Sequence, residues 1–466
     1  MRLGFETLGN ATLVFYDEDK PVLATDPWLQ GTCYYGSWAL DRPLTDAELK
    51  AVLAAEYLWI SHGHPDHFHV QSLGQFPKGK KFLLPDHYSP DIKNFLTHQG
   101  FDVTVMKYRE WRQISPKIRA MCLENENQDA VLVIEAGDSL IVNLNDSPLY
   151  GEDKFLRGLV RKYDRSKTYM AALCSNDADM FNIVDAEGQR IVDPPDVRKR
   201  GMVWHLARIA DRLGVGSYVC SASQHIYARD DAVWANPYRV GFADVVRHWT
   251  RPDIKTVEPF VVVNLETGAI LRKHPSGESF ESQITGGTNG DDWNDVPTEA
   301  EWEQLSAFFL KIETLRHHLD YLEFVVGGVR RKVWFNPDRK DWSPAKLRGI
   351  TFHAPRQSLI RTLKYGYFDD MLIGNFMRTE LHNASLYPDF TPLVAKAAGS
   401  ARIFTDAALT KFNRHYFRRN PTVYCRHRLE VLRANLIDWV RSLAEKLGVK
   451  RPLKILYRRF LGDPVI

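Results

Sequence analysis

The sequence predicts an α/β protein of two units, on three observations. Short runs of Val, Ile, Leu and aromatic residues alternate with helical periods through the first 245 residues. Several of these runs end directly on His, Asp or Asn. A stretch rich in Gly, Ser, Asn and Asp, from about 274 to 297, then interrupts the pattern before helix and strands resume. The expected organisation is one α/β unit over 1–246, a linker and connecting segment over 247–297, and an accessory α/β unit with a basic helical tail over 298–466.

The elements follow in order. Glu6–Tyr16 and Pro21–Thr25 read as a strand pair. Thr45 and Glu48 form the N-cap and third residue of a capping box, so a helix opens there and runs into the apolar strand Tyr57-Leu58-Trp59-Ile60-Ser61. Ser89–His98 is helical and stops at Gly100. Phe101–Tyr108 and Lys117–Leu123 are strands, and Ala130–Glu135 with Ser139–Leu144 flank the hairpin turn Ala136-Gly137-Asp138. Thr168–Cys174 is a strand, Gly201–Leu213 a helix closed by Gly214, and Ser217–Ser221 a strand leading into His225. Beyond the linker, a long helix over about 298–321 precedes strands Leu322–Val326, Arg331–Phe335 and Ile350–His353. Leu429, Leu432, Leu436 and Trp439 keep helical spacing within Arg426–Lys446, which makes that segment amphipathic.

His62-Gly63-His64-Pro65-Asp66-His67 is the densest chemistry in the chain, with three imidazoles and one carboxylate in six residues. Side chains two apart on an extended segment share a side, so His62 and His64 converge. Pro65 keeps His64 out of the helical region. After the turn Asp66 and His67 face a second position. Neutral imidazole and carboxylate donors suit Zn, Fe or Mn. A pair of divalent ions is therefore expected, with Asp66 as catalytic carboxylate as well as ligand.

Hydrophobic content of 44% and charged content of 26% are those of a globular protein. The five scattered cysteines form no C-x-x-C pair, which excludes a cysteine zinc site and points to a reducing, cytoplasmic location. No apolar run approaches the ~20 residues of a membrane helix, and no signal-peptide pattern opens the chain. Charge is uneven: residues 401–466 carry 15 Lys/Arg against 5 Asp/Glu, leaving 46 against 53 in the first 400. The tail, with Arg414, Arg418, Arg419, Arg426, Arg428, Arg458 and Arg459, is expected to favour an anionic small molecule or an acidic carrier partner. No nucleic-acid-reading motif is present.

Strands flanking a His-x-His-x-Asp-His loop resemble the metallo-β-lactamase fold superfamily, an αββα sandwich with metals at one edge of its sheets. The resemblance implies further ligands at later strand ends: Glu124 or Glu126, where that fold normally has a histidine, then a bridging Asp146, then His225. A longer resemblance is carried by Ala24-Thr25-Asp26-Pro27-Trp28-Leu29, Gly36-Ser37-Trp38, the His loop, Asn143–Asp146 and Phe368-Asp369-Asp370-Met371-Leu372-Ile373-Gly374. These are similar to the cytidine monophosphate-N-acetylneuraminic acid hydroxylase family, which implies an iron-dependent monooxygenase, so the resemblance favours iron for the two divalent ions, with zinc the alternative. A Rieske centre needs paired Cys and His at short spacing, and none of the cysteines has such a neighbour. Electrons would then come from a separate ferredoxin or reductase. Metal-assisted hydrolysis of a phosphodiester, amide or lactone is the alternative, and a non-catalytic binding protein the third. Tyr34, Trp38, Tyr227 and Arg229 are candidates to contact substrate.

Overall fold

The computed structural model describes residues 3–272, 290–397 and 401–446. Two large sheets lie face to face. The first runs Ile270–Arg272, Val261–Asn264, Leu3–Gly9, Thr12–Asp17, Lys20–Thr25, Tyr57–Trp59, Lys81–Pro85, Asp102–Met106. The second runs Lys255–Val257, Ser217–Cys220, Thr168–Ala172, Ser139–Asn145, Ala130–Ala136, Ile118–Glu124, Trp111–Ser115.

Alternation along each strand builds the layers. Leu13, Phe15, Leu23, Trp59 and Leu83 of the first sheet meet Ile118, Ala120, Leu132, Ile134 and Ile141 of the second. The intervening residues Val14, Ala24, Leu58 and Phe82 turn outward onto Val52 and Leu96 of helices Asp46–Ala54 and Asp91–His98. Val133, Val142 and Met170 pack on Leu156, Leu159, Val203 and Leu206 of helices Asp153–Val160 and Pro195–Leu213. Helix, sheet, sheet, helix is the αββα sandwich expected. At about 1.5–3 kcal/mol for each large apolar side chain fully buried, the inter-sheet layer fixes the relative position of the two sheet edges. The capping box at Thr45 and Glu48 forms as read, and Glu48 is also held by Arg42 at 2.8 Å.

The accessory unit is a four-stranded sheet in the order Val329–Trp334, Tyr321–Val326, Gly349–His353, Arg378–His382. Its core is not separate. Phe309, Phe324, Phe352, Phe368 and Phe390 belong to one apolar cluster with Trp28, Tyr34, Trp38 and Phe181 of the sandwich.

Three expectations change. Residues after 246 do not simply connect: Lys255–Val257 and Val261–Asn264 are strands of the two sheets, because Val257, Val261 and Val263 alternate into the inter-sheet core. The long helix expected over about 298–321 is Glu299–Leu310 followed by a short 3-10 turn, Glu313–His317. Burying Ile312 at φ −85°, ψ 81° takes the chain out of the helix. The tail helix spans Pro421–Lys446, and Leu429, Leu432 and Leu436 of its expected apolar stripe are exposed. The Gly-rich stretch up to 289, and Arg458 and Arg459, lie outside the described residues. No helix among the described residues is long and apolar enough to cross a membrane.

Candidate metal centre

The His loop starts where Tyr57–Trp59 ends, at the carboxyl edge of parallel neighbours Lys20–Thr25 and Lys81–Pro85. Ligands in open α/β sheets gather at that edge. Asp26, at the end of its own strand, anchors the loop by accepting from Ser61 N at 2.7 Å and Ser61 Oγ at 2.9 Å. Asp26 holds φ 40°, a left-handed conformation that costs a non-glycine residue energy and concentrates at functional sites. The turn closes by amides of His67 and Phe68 donating to His64 O at 3.0 and 2.7 Å.

His62, His64 and Asp146 each place a ligand atom within 4.8 Å of the other two. His62 Nε2 is 2.8 Å from His64 Nδ1 and 3.6 Å from Asp146 Oδ2. His67 Nε2 is 3.2 Å from Asp66 Oδ2 and 3.5 Å from Asp146 Oδ2. Asp146 thus lies between the two halves of the loop. Ser61 gives its proton to Asp26, so His62 Nδ1, 2.9 Å from Ser61 Oγ, is the donor of that pair. His62 Nε2 then carries the lone pair. Asp66 is fixed by Tyr34 OH, donating at 2.6 Å, and by Asn10 Nδ2 at 2.9 Å.

The electrostatics fit a cation. Burial, then neighbouring His67 and His64, holds His62 well below the usual imidazole range. Burial opposes the charge on Asp66, yet His67 and Tyr34 hold its carboxyl far below the usual range. Burial works against a charge on His64, and Asp369 holds it up at about 9. Burial, then Asp146, pushes Asp129 well up, and Asp146 is pushed up by burial too. Buried Asp146 Oδ1 has no hydrogen-bond partner, and His67 Nε2 faces the carboxylates of Asp66 and Asp146. Buried polar atoms left so are rare and call for an ion or water. His62, His64 and Asp146 could hold one ion, and Asp66, His67 and Asp146 a second.

The two expected glutamates are engaged with cations outside the loop, although Glu126 also lines the cavity between sandwich and accessory unit. Glu124 is fully buried in contact with the Arg419 guanidinium and Tyr416 OH, with Gln128 Nε2 at 3.3 Å. Glu126 faces His427 Nε2 and Arg428 Nη2, each at 3.2 Å. Both glutamates neutralise cations of helices Asp406–Arg419 and Pro421–Lys446, which engages them outside the metal loop. The carboxylate that does face the loop is Asp129, with Oδ1 3.4 Å from His62 Nδ1. It shares the turn between strands Ile118–Glu124 and Ala130–Ala136 with Glu126, and Glu124 ends the first of them, so no local signal separates the three acids.

His225 opens a new short strand, His225–Tyr227, paired with Trp38–Leu40. It lines the same cavity as the His loop, with Nε2 3.1 Å from Asp177 Oδ2. Its ring lies flat on Trp38, centroids 3.6 Å apart at 4°. Trp38 is therefore a platform for His225, and Tyr34 a clamp on Asp66. Tyr227 and Arg229 do not line the cavity. Tyr227 OH accepts from Asn375 Nδ2 at 2.8 Å, and Arg229, 0% exposed, is held by Asp231 at 2.7 Å over the Phe376 ring. An arginine this buried and paired is a structural tie.

The cavity encloses about 1380 Å³ between sandwich and accessory unit. Asp177 and Asp179 line one part, and Arg348, Lys396 and Arg428 another. Asp179 is an exposed residue of the cavity wall, and the enclosing walls, then Asp177, raise its carboxyl above the usual range against the pull of Arg198.

No protein-family model matches the chain. It is 26% identical over 152 residues to "Putative Rieske 2Fe-2S iron-sulfur protein" of Mycobacterium tuberculosis, covering 30% of this chain and 29% of that one. It is 28% identical over 131 residues to cytidine monophosphate-N-acetylneuraminic acid hydroxylase of Danio rerio, covering 26% and 22%. The matches span less than a third of the length of these curated relatives. Among solved structures, a metallo hydrolase of Ignicoccus hospitalis aligns with TM-score 0.37 at 14% identity, over 56% of this chain and 97% of that one. An isothiocyanate hydrolase from Delia radicum gut bacteria aligns with TM-score 0.38 at 15% identity, over 55% and 95%.

Proposed function

We propose that this chain, which has the metallo-β-lactamase fold, is a metal-dependent enzyme that hydrolyses a bond of an anionic small molecule in the cavity between its two units. The observation that carries this is the convergence of His62, His64, His67, Asp66 and Asp146 at the edge of the cavity, which His62, His64, Asp66 and Asp146 line. A bound divalent pair supplies Lewis acidity and a water of lowered pKa. Around it, Tyr34 and Asn10 hold Asp66 in one orientation. Asp179, a cavity-wall carboxyl raised above its usual range, is the candidate to protonate a leaving group. Lys396 and Arg428 supply positive charge for the anionic part of the substrate.

A second reading is an iron-dependent monooxygenase with electrons from a separate ferredoxin or reductase, acting on a free or carrier-bound substrate. Two observations favour it. The second ion position is flanked by two carboxylates, Asp66 and Asp146, and one imidazole, His67, and oxygen-rich donors suit iron. The partial likeness to hydroxylases points the same way.

The test is metal content of protein purified without added metal, followed by two assays. Zinc- or manganese-loaded protein that turns over a phosphodiester, lactone or amide supports the first reading. Iron-loaded protein that consumes O₂ on reduction, with no hydrolysis, overturns it in favour of the second. Protein that binds neither metal overturns both.

A further inference from the structure

Each imidazole of the loop has one ring nitrogen toward Asp146 or its histidine neighbour and the other toward an outer oxygen. For His62 the outer groups are Ser61 Oγ at 2.9 Å and Asp129 Oδ1 at 3.4 Å from Nδ1. For His67 the outer group is Asp26 Oδ2, 3.2 Å from Nδ1. For His64, Nδ1 faces His62, and Nε2 faces Asp369 Oδ2 at 3.6 Å. The first three outer groups belong to the sandwich. Asp369 belongs to the accessory unit.

Asp369 is held in place from both sides. It begins the short helix Asp369–Ile373, whose neighbour Phe368 packs edge-on to Phe309, Phe352 and Phe390 with centroids 5.1–5.7 Å away. The segment is tied to the sandwich by Ser37 Oγ donating to Gly374 O, and by Asn375 Nδ2 donating to Asp177 O at 2.8 Å. Asp369 is 7% exposed, lines the cavity, and its Oδ1 has no hydrogen-bond partner. A buried carboxylate without a full set of donors costs free energy, so its placement beside His64 needs a compensating role.

We infer that Asp369 is a positioning residue for the metal centre: it accepts from His64 Nε2–H, presents the Nδ1 lone pair inward, and so makes the accessory unit a part of the metal site. A cation on Nδ1 makes Nε2–H more acidic and a better donor, which strengthens the contact beyond the 3.6 Å ion-pair separation. Outer carboxylates of this kind set ring tautomer and basicity, and their loss costs about 10–100-fold in metal affinity. The inference rests on the reading of this site as a metal centre.

The test is Co²⁺ titration of the full chain, wild type against Asp369→Asn, Asp369→Glu and Glu301→Gln. Glu301 pairs with Arg356 in the accessory unit, away from the metal loop. Asp369→Asn should lose about tenfold or more in Co²⁺ affinity and shift the visible Co²⁺ spectrum. Asp369→Glu should recover part of both, and Glu301→Gln should match wild type. Unchanged binding by folded Asp369→Asn, or an equal loss in Glu301→Gln, overturns the inference and leaves the metal site standing. If Asp369→Asn does not fold, the Co²⁺-shifted ring N–H of His64 in the wild type decides: slow solvent exchange supports the bond to Asp369, and exchange as fast as an exposed imidazole overturns it. A wild type that binds no Co²⁺, Zn²⁺ or Fe²⁺ overturns the metal-centre reading and this inference with it.

Discussion

Asp129 Oδ1 lies 3.4 Å from His62 Nδ1, at the position where Glu124 or Glu126 was expected to serve. The pairing gives His62 an outer acid, as Asp26 does for His67 and Asp369 for His64. Asp129→Asn keeps the shape and removes the charge. It should lower metal affinity by about tenfold or more, while Glu126→Gln should leave it within twofold or so. Equilibrium dialysis with elemental analysis reads both. A metal content equal to wild type in Asp129→Asn would remove Asp129 from the site.

Glu124 and Arg419 carry a different kind of consequence. The carboxylate is 0% exposed and the guanidinium 12%, and Asp86 is the second acid at Arg419, 3.2 Å away. Breaking a buried pair by removing one partner costs about 3–5 kcal/mol, because the remaining charge is left poorly solvated. Glu124→Gln should therefore lower the denaturant midpoint strongly. The folded fraction should still bind metal as wild type does, since Glu124 is committed to Arg419 and Tyr416.

This contrast shows what was legible in the chain. His62–His67 could be read because all four side chains sit in one turn at the end of an apolar strand, so their convergence is a local property. The sandwich layers could be read because the period of two in Leu13-Val14-Phe15 and its counterparts is local as well. Asp129 and the glutamates could not be told apart, because all three end one segment and only the distant cations Arg419, His427 and Arg428 decide which acid remains free for the loop. Asp369 lies about three hundred positions from His64, and Arg229 reads as a polar surface residue until Phe376 and Asp231 close over it. Partnership across such sequence separation is set by packing between units, which carries no local period.

Asp179 gives a pH test. Its carboxyl is raised from 3.8 to about 6, so it is protonated below pH 6 and ionised above. As a proton donor it is active in the protonated form, and kcat should fall as pH rises through about 6. The stability sign agrees in direction: a raised carboxyl contributes fully below its ordinary value and loses that contribution as pH rises through its folded value. Asp179→Asn should remove the limb near pH 6 from the kcat profile and lower kcat at acid pH. A profile unchanged in that variant would assign the limb to another group.

The basic tail was expected to steer an anionic ligand, with Arg418 and Arg419 as the residues to reverse. The structure relocates that test. Arg419 is engaged with Glu124 and Asp86, so reversing it should unfold the region rather than slow binding. The cavity instead presents Lys396, whose ammonium is pushed down by burial and faces Glu126 and Arg428 as its charged neighbours. Arg428 divides its guanidinium between Glu126 Oε2 at 3.2 Å and Asn413 Oδ1 at 2.9 Å. Arg348 is likewise paired, with Asp389 at 2.8 Å, so among the described cations of the cavity Lys396 is the one without an ion pair to hold it from an incoming anion. Lys396→Met keeps the stem and removes the charge. With an anionic substrate it should raise KM by about tenfold and change kcat little, the pattern of lost uniform binding. Because the contact is enclosed, it should respond weakly to salt compared with a surface pair screened over about 8 Å. A neutral analogue of the same substrate should not distinguish Lys396→Met from wild type, and a KM that rises equally for both would mean that Lys396 shapes the cavity without reading charge.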